Sequence, residues 1–180
     1  MNDSTFAEGY NDLARVAARR MFPGVDLDAM ELGFNLIRAA NKLQQDLENH
    51  VHRPAGVTWA AFRVLFTIGV SGEISPHQIA RLSSISPASA TSVLNTLEKY
   101  GYIHRVPHSE DGRSKVCTLT ERGAEVVAQL FERNNHREAE WRAALTDHEL
   151  RETAHGLKKL IAYHPADPDP DQATAWEKIR

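Results

Sequence analysis

Apolar residues recur every three to four positions along most of the chain, which is the period of an amphipathic helix. The pattern predicts five such helices, at about 5–21, 32–50, 59–69, 120–145 and 146–161. Thr58 and Thr146 each stand before the first apolar residues of a helix and can cap its first turn, and Glu149 completes a capping box with Thr146. The chain is therefore predicted to be mainly helical.

Two shorter helices are predicted in the middle of the chain, and each begins with a serine followed by a proline. Ser75 is a good N-cap residue, Pro76 suits the first helical position, and Gln78 can complete a capping box. Ser86 and Pro87 repeat this start eleven residues later. Two short helices separated by about three residues are typical of a helix-turn-helix.

The hydrophobic period changes from helical to alternating directly after these helices. Residues 102–106 and 113–119 each predict a strand, and the polar residues 107–112 predict the turn of a hairpin. The predicted fold class is mainly α with a small β-hairpin wing, which makes a winged helix-turn-helix lobe next to a region of long helices. Residues 165–180 have no apolar face and are predicted to be a disordered acidic tail.

Composition limits the class of protein. The chain has 180 residues, of which 42% are hydrophobic, a formal net charge of −3, and one cysteine, Cys117. A chain of this length can bury a stable core without disulfide or metal cross-links, and a single cysteine forms no internal disulfide. No apolar stretch approaches the ~20 residues that span a bilayer. Because Asp3 and Glu8 stand where a secretion signal would be basic, we expect a cytoplasmic protein without a membrane partner.

The acidic total hides a basic middle segment. Residues 75–119 hold five basic and three acidic side chains, a net charge of +2. Within it, the helix after Ser86 has one apolar face, and its opposite face carries short hydroxyl, amide and methyl groups that suit base edges in a major groove. The candidate DNA-binding residues on this face and at the two helix starts are Ser75, Gln78, Ser86, Pro87, Ala88, Ser89, Thr91, Ser92 and Asn95. The alternative is that these side chains only cover a solvated helix.

The predicted hairpin tip adds two cations, Arg113 and Lys115. Arginine in such a tip can enter a narrow minor groove, where the negative potential is enhanced, and Asp111 can orient it through a charge-assisted pair. A charged tip usually only keeps a hairpin soluble. Its position directly after a helix-turn-helix favours DNA contact.

In this order, the segments resemble the MarR (multiple antibiotic resistance regulator) family of winged-helix transcription factors. The resemblance covers about residues 31–162. The motifs that carry it are Ile79-Ala80-Arg81-Leu82, Leu97-Glu98-Lys99-Tyr100-Gly101, Asp111-Gly112-Arg113-Ser114 and Leu119-Thr120-Glu121-Arg122-Gly123.

The resemblance implies a homodimer that binds double-stranded DNA at a palindromic operator and responds to a small molecule. It also implies that residues 87–92 and Asn95 face the bases, with Arg113 in the minor groove and Asp111 orienting it. Ser92 and Pro87 stand where many members have a basic residue. We therefore expect modest non-specific affinity.

Apolar helix faces outside the winged lobe exceed what one small domain needs, so we expect them to be buried between two subunits. The predicted organisation is an N-terminal helical extension at 1–30, a dimerisation helix and linker at 31–57, the DNA-binding lobe at 58–119, C-terminal dimerisation helices at 120–164, and the tail at 165–180.

The family often binds anionic aromatic effectors between the dimer helices and the DNA-binding lobe. Such a pocket needs an apolar wall and a few convergent polar groups. The candidate effector-binding residues are Asn35, Arg38, Trp59, Phe62 and Arg63. We expect Arg38 to hold the acid group. The alternative is that Arg38 and Arg63 pair with acidic neighbours.

Other chemistry is weakly indicated. His50 and His52 could ligate zinc, but no cysteine or carboxylate cluster accompanies them, and a solvated or capping role is favoured. Cys117 is expected to be inert in an apolar strand. No catalytic motif is present, so we expect neither an enzyme nor a cofactor.

The predicted function is a dimeric, sequence-specific repressor that an aromatic or phenolic acid releases from its operator. The alternatives are a DNA-architectural protein without an effector and a redox-responsive or metal-responsive regulator.

Overall fold

The computed structural model describes the backbone of residues 3–107 and 115–165, and side chains from Gly9 onward within those ranges. The described elements are α1 (Asp3–Met21), α2 (Leu27–Leu47), α3 (Trp59–Ser71), α4 (Pro76–Leu82), α5 (Pro87–Lys99), β1 (Ile103–Pro107), β2 (Lys115–Leu119), α6 (Glu121–Arg142) and α7 (Asp147–Ala162). The chain divides into two compact units after Glu138, and α7 lies in the second. The predicted fold class, mainly α with a two-stranded antiparallel hairpin, is confirmed.

Local caps fix the starts of the short helices as predicted. The Ser75 hydroxyl accepts from the Gln78 backbone amide at 3.3 Å, and the Gln78 side chain accepts from the Ser75 amide at 3.1 Å. Ser86 caps α5 by accepting from the Ser89 amide at 3.1 Å. Each cap satisfies backbone donors that the first helical turn would otherwise leave unpaired. The same arrangement of Thr146 and Glu149 starts α7.

The second helix begins earlier than its apolar pattern predicts. α2 starts at Leu27 because Asp26 caps it, accepting from the amides of Asp28 and Ala29. It therefore begins within the stretch predicted as an N-terminal extension. At its other end, a π-helical turn at Glu48–His52 and a 3-10 turn at Arg53–Ala55 continue the helix.

The first hydrophobic core holds α5 against α3, α4 and the hairpin. It is made of the buried side chains of Val64, Leu65, Ile68, Ile74, Ile79, Leu94, Leu97, Ile103 and Cys117. β1 pairs with β2 from Ile103 opposite Leu119 to Pro107 opposite Lys115. Ile74 extends this pairing, since its carbonyl accepts from the Cys117 amide at 2.8 Å. Each large apolar side chain buried here contributes about 1.5–3 kcal/mol, so this core fixes which face of α5 points outward.

The start of α6 is packed against backbone at the base of the hairpin. The Thr120 hydroxyl donates to the Gly101 carbonyl at 2.7 Å and accepts from the Gly123 amide at 2.9 Å. A Cβ on Gly123 would lie 1.9 Å from the Tyr102 carbonyl oxygen. Only glycine fits this approach of helix to backbone.

A second core lies where the π-helical turn meets α3 and α6, and it encloses a histidine. Its apolar members are Leu47, Val51, Val57, Phe62 and Leu130. His52 is fully buried, stacks on Phe62 with ring centroids 4.7 Å apart, and lies with Nε2 3.1 Å from Asn134 Oδ1. The expected solvated or capping role is wrong for His52, because the wider π-helical turn brings it to the buried side after Leu47.

His50, by contrast, is exposed and contacts the Asp46 carboxylate at 3.0 Å. Among the described residues, no group of His, Cys, Asp and Glu side chains has the arrangement of a metal site.

Within the described ranges, no single helix is long and apolar enough to span a membrane. Segments 27–55 and 59–71 together have the length and apolar composition of a span, but the chain bends by 81° between them.

We expect Gly123→Ala to lower the free energy of unfolding by about 2 kcal/mol or more, because the new methyl group meets immobile backbone. Urea denaturation of the full chain at one fixed protein concentration measures this effect. Gly9→Ala is the matched control, since Gly9 lies exposed in α1 with nothing within 4 Å of the added Cβ. It should raise stability by up to about 1 kcal/mol through helix propensity. Equal effects of the two substitutions would contradict the close approach at Gly123.

Burial lowers the pKa of His52 below its usual 6.5, against the opposing effects of the hydrogen bond to Asn134 and the charge of Glu48. Below about pH 6.5 the unfolded chain therefore binds a proton at His52 more strongly than the folded chain does. The free energy of unfolding then falls as the pH drops, by at most ~1.4 kcal/mol per pH unit. His52→Gln should flatten this dependence in denaturation curves from pH 7.5 to 5.5. His77→Gln, an exposed control in α4, should keep the wild-type slope. A slope that His52→Gln leaves unchanged would show that His52 is not its source.

Candidate nucleic-acid interface

The helix α5 has two sharply different faces. Ala90, Leu94 and Leu97 are buried, each at 2% exposure or less. Every candidate DNA-binding residue on the other side is exposed; these are Ser86, Pro87, Ala88, Ser89, Thr91, Ser92 and Asn95. The predicted division of the helix into an apolar and a polar face is confirmed. All these side chains are short, so the helix backbone can approach a groove closely.

Side-chain hydrogen bonds within α5 determine which polar atoms are still available to bind a base or a phosphate. The Ser86 hydroxyl donates to Ser89 Oγ at 2.8 Å while it caps the helix, so its proton is committed. Ser89 accepts that bond and keeps its own proton for an outside acceptor. The Thr91 hydroxyl donates to the Pro87 carbonyl at 2.9 Å. Thr91 therefore presents a lone pair and a methyl group, which suit a base amino group and a thymine methyl respectively.

The start of α4 supplies two further candidates that bind each other. Ser75 is half-buried, Gln78 is exposed, and the Ser75 hydroxyl donates to Gln78 Oε1 at 2.8 Å. This bond and the capping box occupy Oε1, so the amide NH₂ of Gln78 is the group that remains for a phosphate oxygen.

The structure adds Arg105, which the sequence interpretation missed. Its guanidinium donates from Nη2 to Asn95 Oδ1 at 2.7 Å, and its Nε lies 3.5 Å from Glu98 Oε2. Side chains two residues apart on a strand share a face, and Ile103, which is buried against α5, lies two residues before Arg105. The alternation of β1 was the signal that could have placed Arg105 beside the helix.

The hairpin tip is described only in part. Lys115 is exposed at the first position of β2, opposite Pro107. Asp111 and Arg113 lie outside the described residues. Cys117 is buried in β2, where burial raises the pKa of its thiol against the opposing charge of Arg105. A neutral buried thiol is the inert state that was predicted.

A cavity of about 520 Å³ opens beside α3, the end of α4 and α6. Its walls are Trp59, Phe62, Arg63, Phe66, Thr67, Val70, Ser71, Leu82, Ser83, Phe131, Asn134 and Glu138. The rings of Phe66 and Phe131 are stacked with centroids 5.3 Å apart. This volume and this mainly apolar wall suit a small organic ligand.

Arg63 is the cationic side chain of that wall. Its guanidinium lies 5.9 Å from the centroid of the Trp59 ring, and burial lowers its pKa. Among the residues that the structure describes, no carboxylate forms an ion pair with Arg63. A partly desolvated guanidinium without a carboxylate gains from binding an anion.

The five candidate effector residues do not meet in one place. Trp59, Phe62 and Arg63 line the cavity, whereas Asn35 and Arg38 do not. Arg38 donates to Asn11 Oδ1 at 2.8 Å, and Asn11 donates to Asn35 Oδ1 at 3.3 Å. Both side chains thus bind α1. The sequence pattern of α2 alone gives no sign of these partners, because they come from α1.

A network of polar groups connects the cavity with the buried histidine. Asn134 Oδ1 can only accept, so His52 donates from Nε2, and the Asn134 amide in turn donates to Glu138 Oε1 at 2.7 Å. His52 Nδ1 is buried without a partner in the described structure. Glu138 therefore places a hydrogen-bond acceptor in the same cavity as the Arg63 cation.

Comparison with known proteins identifies the family. The model of the MarR family matches residues 57–115. The transcriptional repressor Rv2887 of Mycobacterium tuberculosis is 30% identical over 133 residues, which cover 74% of this chain and 95% of the relative.

Two solved structures have the same fold. The structure of Rv2887 with p-aminosalicylic acid has a TM-score of 0.60 and 29% identity, and covers 72% of this chain and 97% of that one. A mutant of Escherichia coli MarR with operator DNA has a TM-score of 0.66 and 24% identity, and covers 79% and 96%.

Members of this family are regulators of transcription rather than enzymes. The recognised segment, residues 57–115, contains α3, both short helices, β1 and the first residue of β2, so it includes the polar face of α5 described above. The chain belongs to the MarR family of DNA-binding transcriptional regulators.

Proposed function

We propose that this protein is a homodimeric repressor that inserts α5 of each subunit into the major groove of a palindromic operator and leaves it when an aromatic acid binds. The observation that carries the proposal is the exposed face of short polar side chains on α5, held outward by the buried opposite face. Such a regulator acts where the DNA is, which is the cytoplasm.

Exposed apolar side chains support the dimer. Leu13, Val16 and Ile37 on α1 and α2 are 71%, 59% and 61% exposed, and Ile161 on α7 is 80% exposed. Large apolar surface of this kind is characteristic of an interface between subunits. A two-fold dimer presents two copies of α5, and the operator mirrors that symmetry as two half-sites.

The cavity beside α3 supports control by a ligand. Arg63 offers a cation, the stacked rings of Phe66 and Phe131 offer an apolar wall, and Glu138 offers an acceptor for a hydroxyl or amine. A small aromatic acid with a second polar substituent has the complementary groups, and the relative Rv2887 binds p-aminosalicylic acid. We assign the acid group to Arg63 rather than Arg38, since Arg38 lies against α1.

A hydrogen bond within the cavity wall supports a path to the DNA-binding helices. The hydroxyls of Thr67 on α3 and Ser83 after α4 lie 3.0 Å apart, and both line the cavity. Ser84, the next residue, has a left-handed φ of 49°, so the turn before α5 is held in a strained conformation. A ligand that binds one arrangement of this turn more tightly shifts the population toward it.

The decisive experiment is a titration of the full protein on the DNA upstream of its own gene, in competition with random DNA, with and without a panel of aromatic acids. A repressor of the proposed kind binds this DNA with much higher affinity than it binds random DNA, and one of the acids releases it. Equal binding to all DNA would instead support the architectural protein. Sequence-specific binding that no acid weakens would support recognition of an operator and contradict control by an aromatic acid.

We expect Ser92→Arg to strengthen operator binding and to steepen its salt dependence by about 0.9 in the log–log slope for each new phosphate contact. The reason is that Ser92 lies exposed on the polar face of α5. Fluorescence anisotropy at several salt concentrations measures both quantities. Gln129→Arg, which adds the same charge at an exposed position on α6, should change neither. Weaker binding by Ser92→Arg would mean that this position does not face the duplex.

We expect Arg63→Met to weaken binding of p-aminosalicylic acid on the order of 10-fold or more, because a charge-assisted pair with the carboxylate is lost. Calorimetry on the free protein and acid-induced release from the operator provide two readouts. Arg38→Met removes the same charge on α2 and should leave both unchanged. If Arg38→Met abolished the response while Arg63→Met kept it, the acid would bind at α1 and α2.

A further inference from the structure

We propose that Arg105 is a positioning residue that locks the orientation of the Asn95 amide, so that α5 presents the Nδ2 donor end of Asn95 to the major groove. Asn95 then selects guanine or thymine at one base position in each half-site. This inference rests on the proposed function, because it needs α5 to lie in the groove.

The lock follows from the chemistry of the two groups. An asparagine amide has one accepting and one donating end, and the two ends are exchanged by a rotation about the side chain. A guanidinium has five donors and no acceptor. The atom of Asn95 that lies 2.7 Å from Arg105 Nη2 is therefore Oδ1, and Nδ2 points away from the arginine.

Arg105 is itself held in place. Its side chain is only 22% exposed, and its Nε lies 3.5 Å from Glu98 Oε2, one turn of α5 beyond Asn95. It lies directly opposite Cys117 in the hairpin register, and Cys117 is fully buried. A guanidinium that is largely covered and lies beside the Glu98 carboxylate can hold the amide in one orientation.

The locked amide changes what Asn95 can recognise. The usual contact of asparagine with adenine uses both ends of the amide, because adenine presents an acceptor at N7 and a donor at N6. With Oδ1 held toward Arg105, the two Nδ2 protons are the groups that the amide turns to the groove. They match the acceptors N7 and O6 of guanine or O4 of thymine, whereas adenine sets an opposing amino group beside its acceptor N7 and cytosine presents an amino group.

The test measures base preference position by position. An operator selected by the wild-type protein from a random pool is substituted with all four bases at each position of a half-site, and each affinity is measured by anisotropy at fixed salt. At one position the wild type should prefer guanine or thymine over adenine and cytosine by roughly 10-fold. Asn95→Asp should reverse that order, because an outward carboxylate oxygen accepts from amino groups, and should leave the order at other positions unchanged.

Arg105→Met tests the lock itself. The freed amide can rotate, so adenine should become as good as guanine at the same position, while the other preferences remain. Arg122→Met removes an equal charge from an arginine that donates to the Tyr100 carbonyl and lies over the Tyr102 ring, and it should keep the wild-type order. If Arg105→Met fails to fold by circular dichroism, Asn95→Asp decides alone.

The outcomes separate the two proposals. A wild-type protein that selects no DNA sequence overturns the proposed function. Sequence-specific wild-type binding, combined with an unchanged base order in Asn95→Asp, overturns only the role of Asn95 and Arg105. A uniform loss of affinity over all operators in Asn95→Asp would place Asn95 at a phosphate, and would also overturn it.

Discussion

The burial of one side of α5 is the constraint on which the rest of the lobe depends. Ala90, Leu94 and Leu97 cannot leave the core without exposing surface worth several kcal/mol, so the helix cannot rotate about its axis. The same core holds Ile103 and Cys117 of the hairpin, and Ile74 ties β2 to the segment before α4. The polar face of α5 and the strand that supports it are therefore fixed relative to each other, which is what any readout of base edges requires.

A face built from serine, threonine and asparagine gains little from charge, so its selectivity depends on which protons are already used. Internal bonds commit the hydroxyl protons of Ser86 and Thr91 and leave that of Ser89. Arg105 makes the same kind of choice for Asn95 from outside the helix. In the proposed role, a half-buried arginine of this lobe therefore determines hydrogen-bond polarity at the interface instead of supplying charge to it.

Local signals in the sequence were sufficient for the starts of α3, α4, α5 and α7, because a cap and the helix that it starts lie within a few residues of each other. Three side-chain positions depend on tertiary contacts that the sequence pattern does not indicate. His52 became buried through a π-helical turn that has no signature in an apolar pattern. Arg38 donates a hydrogen bond to Asn11, 27 residues away, and does not line the cavity. Arg105 was unremarkable until β1 packed beside α5. Each of these placements concerns a polar side chain whose partner comes from a different element.

The helix α3 connects the cavity to the DNA-binding elements, because one of its sides packs in the core beneath α5 and the other lines the cavity. Val64, Leu65 and Ile68 belong to the core beneath α5, while Arg63, Phe66 and Thr67 line the cavity. A ligand must bind one state about 10⁴-fold more tightly than the other, or by ~5.5 kcal/mol, to move a population from 1:99 to 99:1. In the proposed function, one charge-assisted pair at Arg63 supplies only part of that difference. The remainder must come from the apolar wall, so the size and fit of the aromatic ring should matter as much as the acid group for release from DNA.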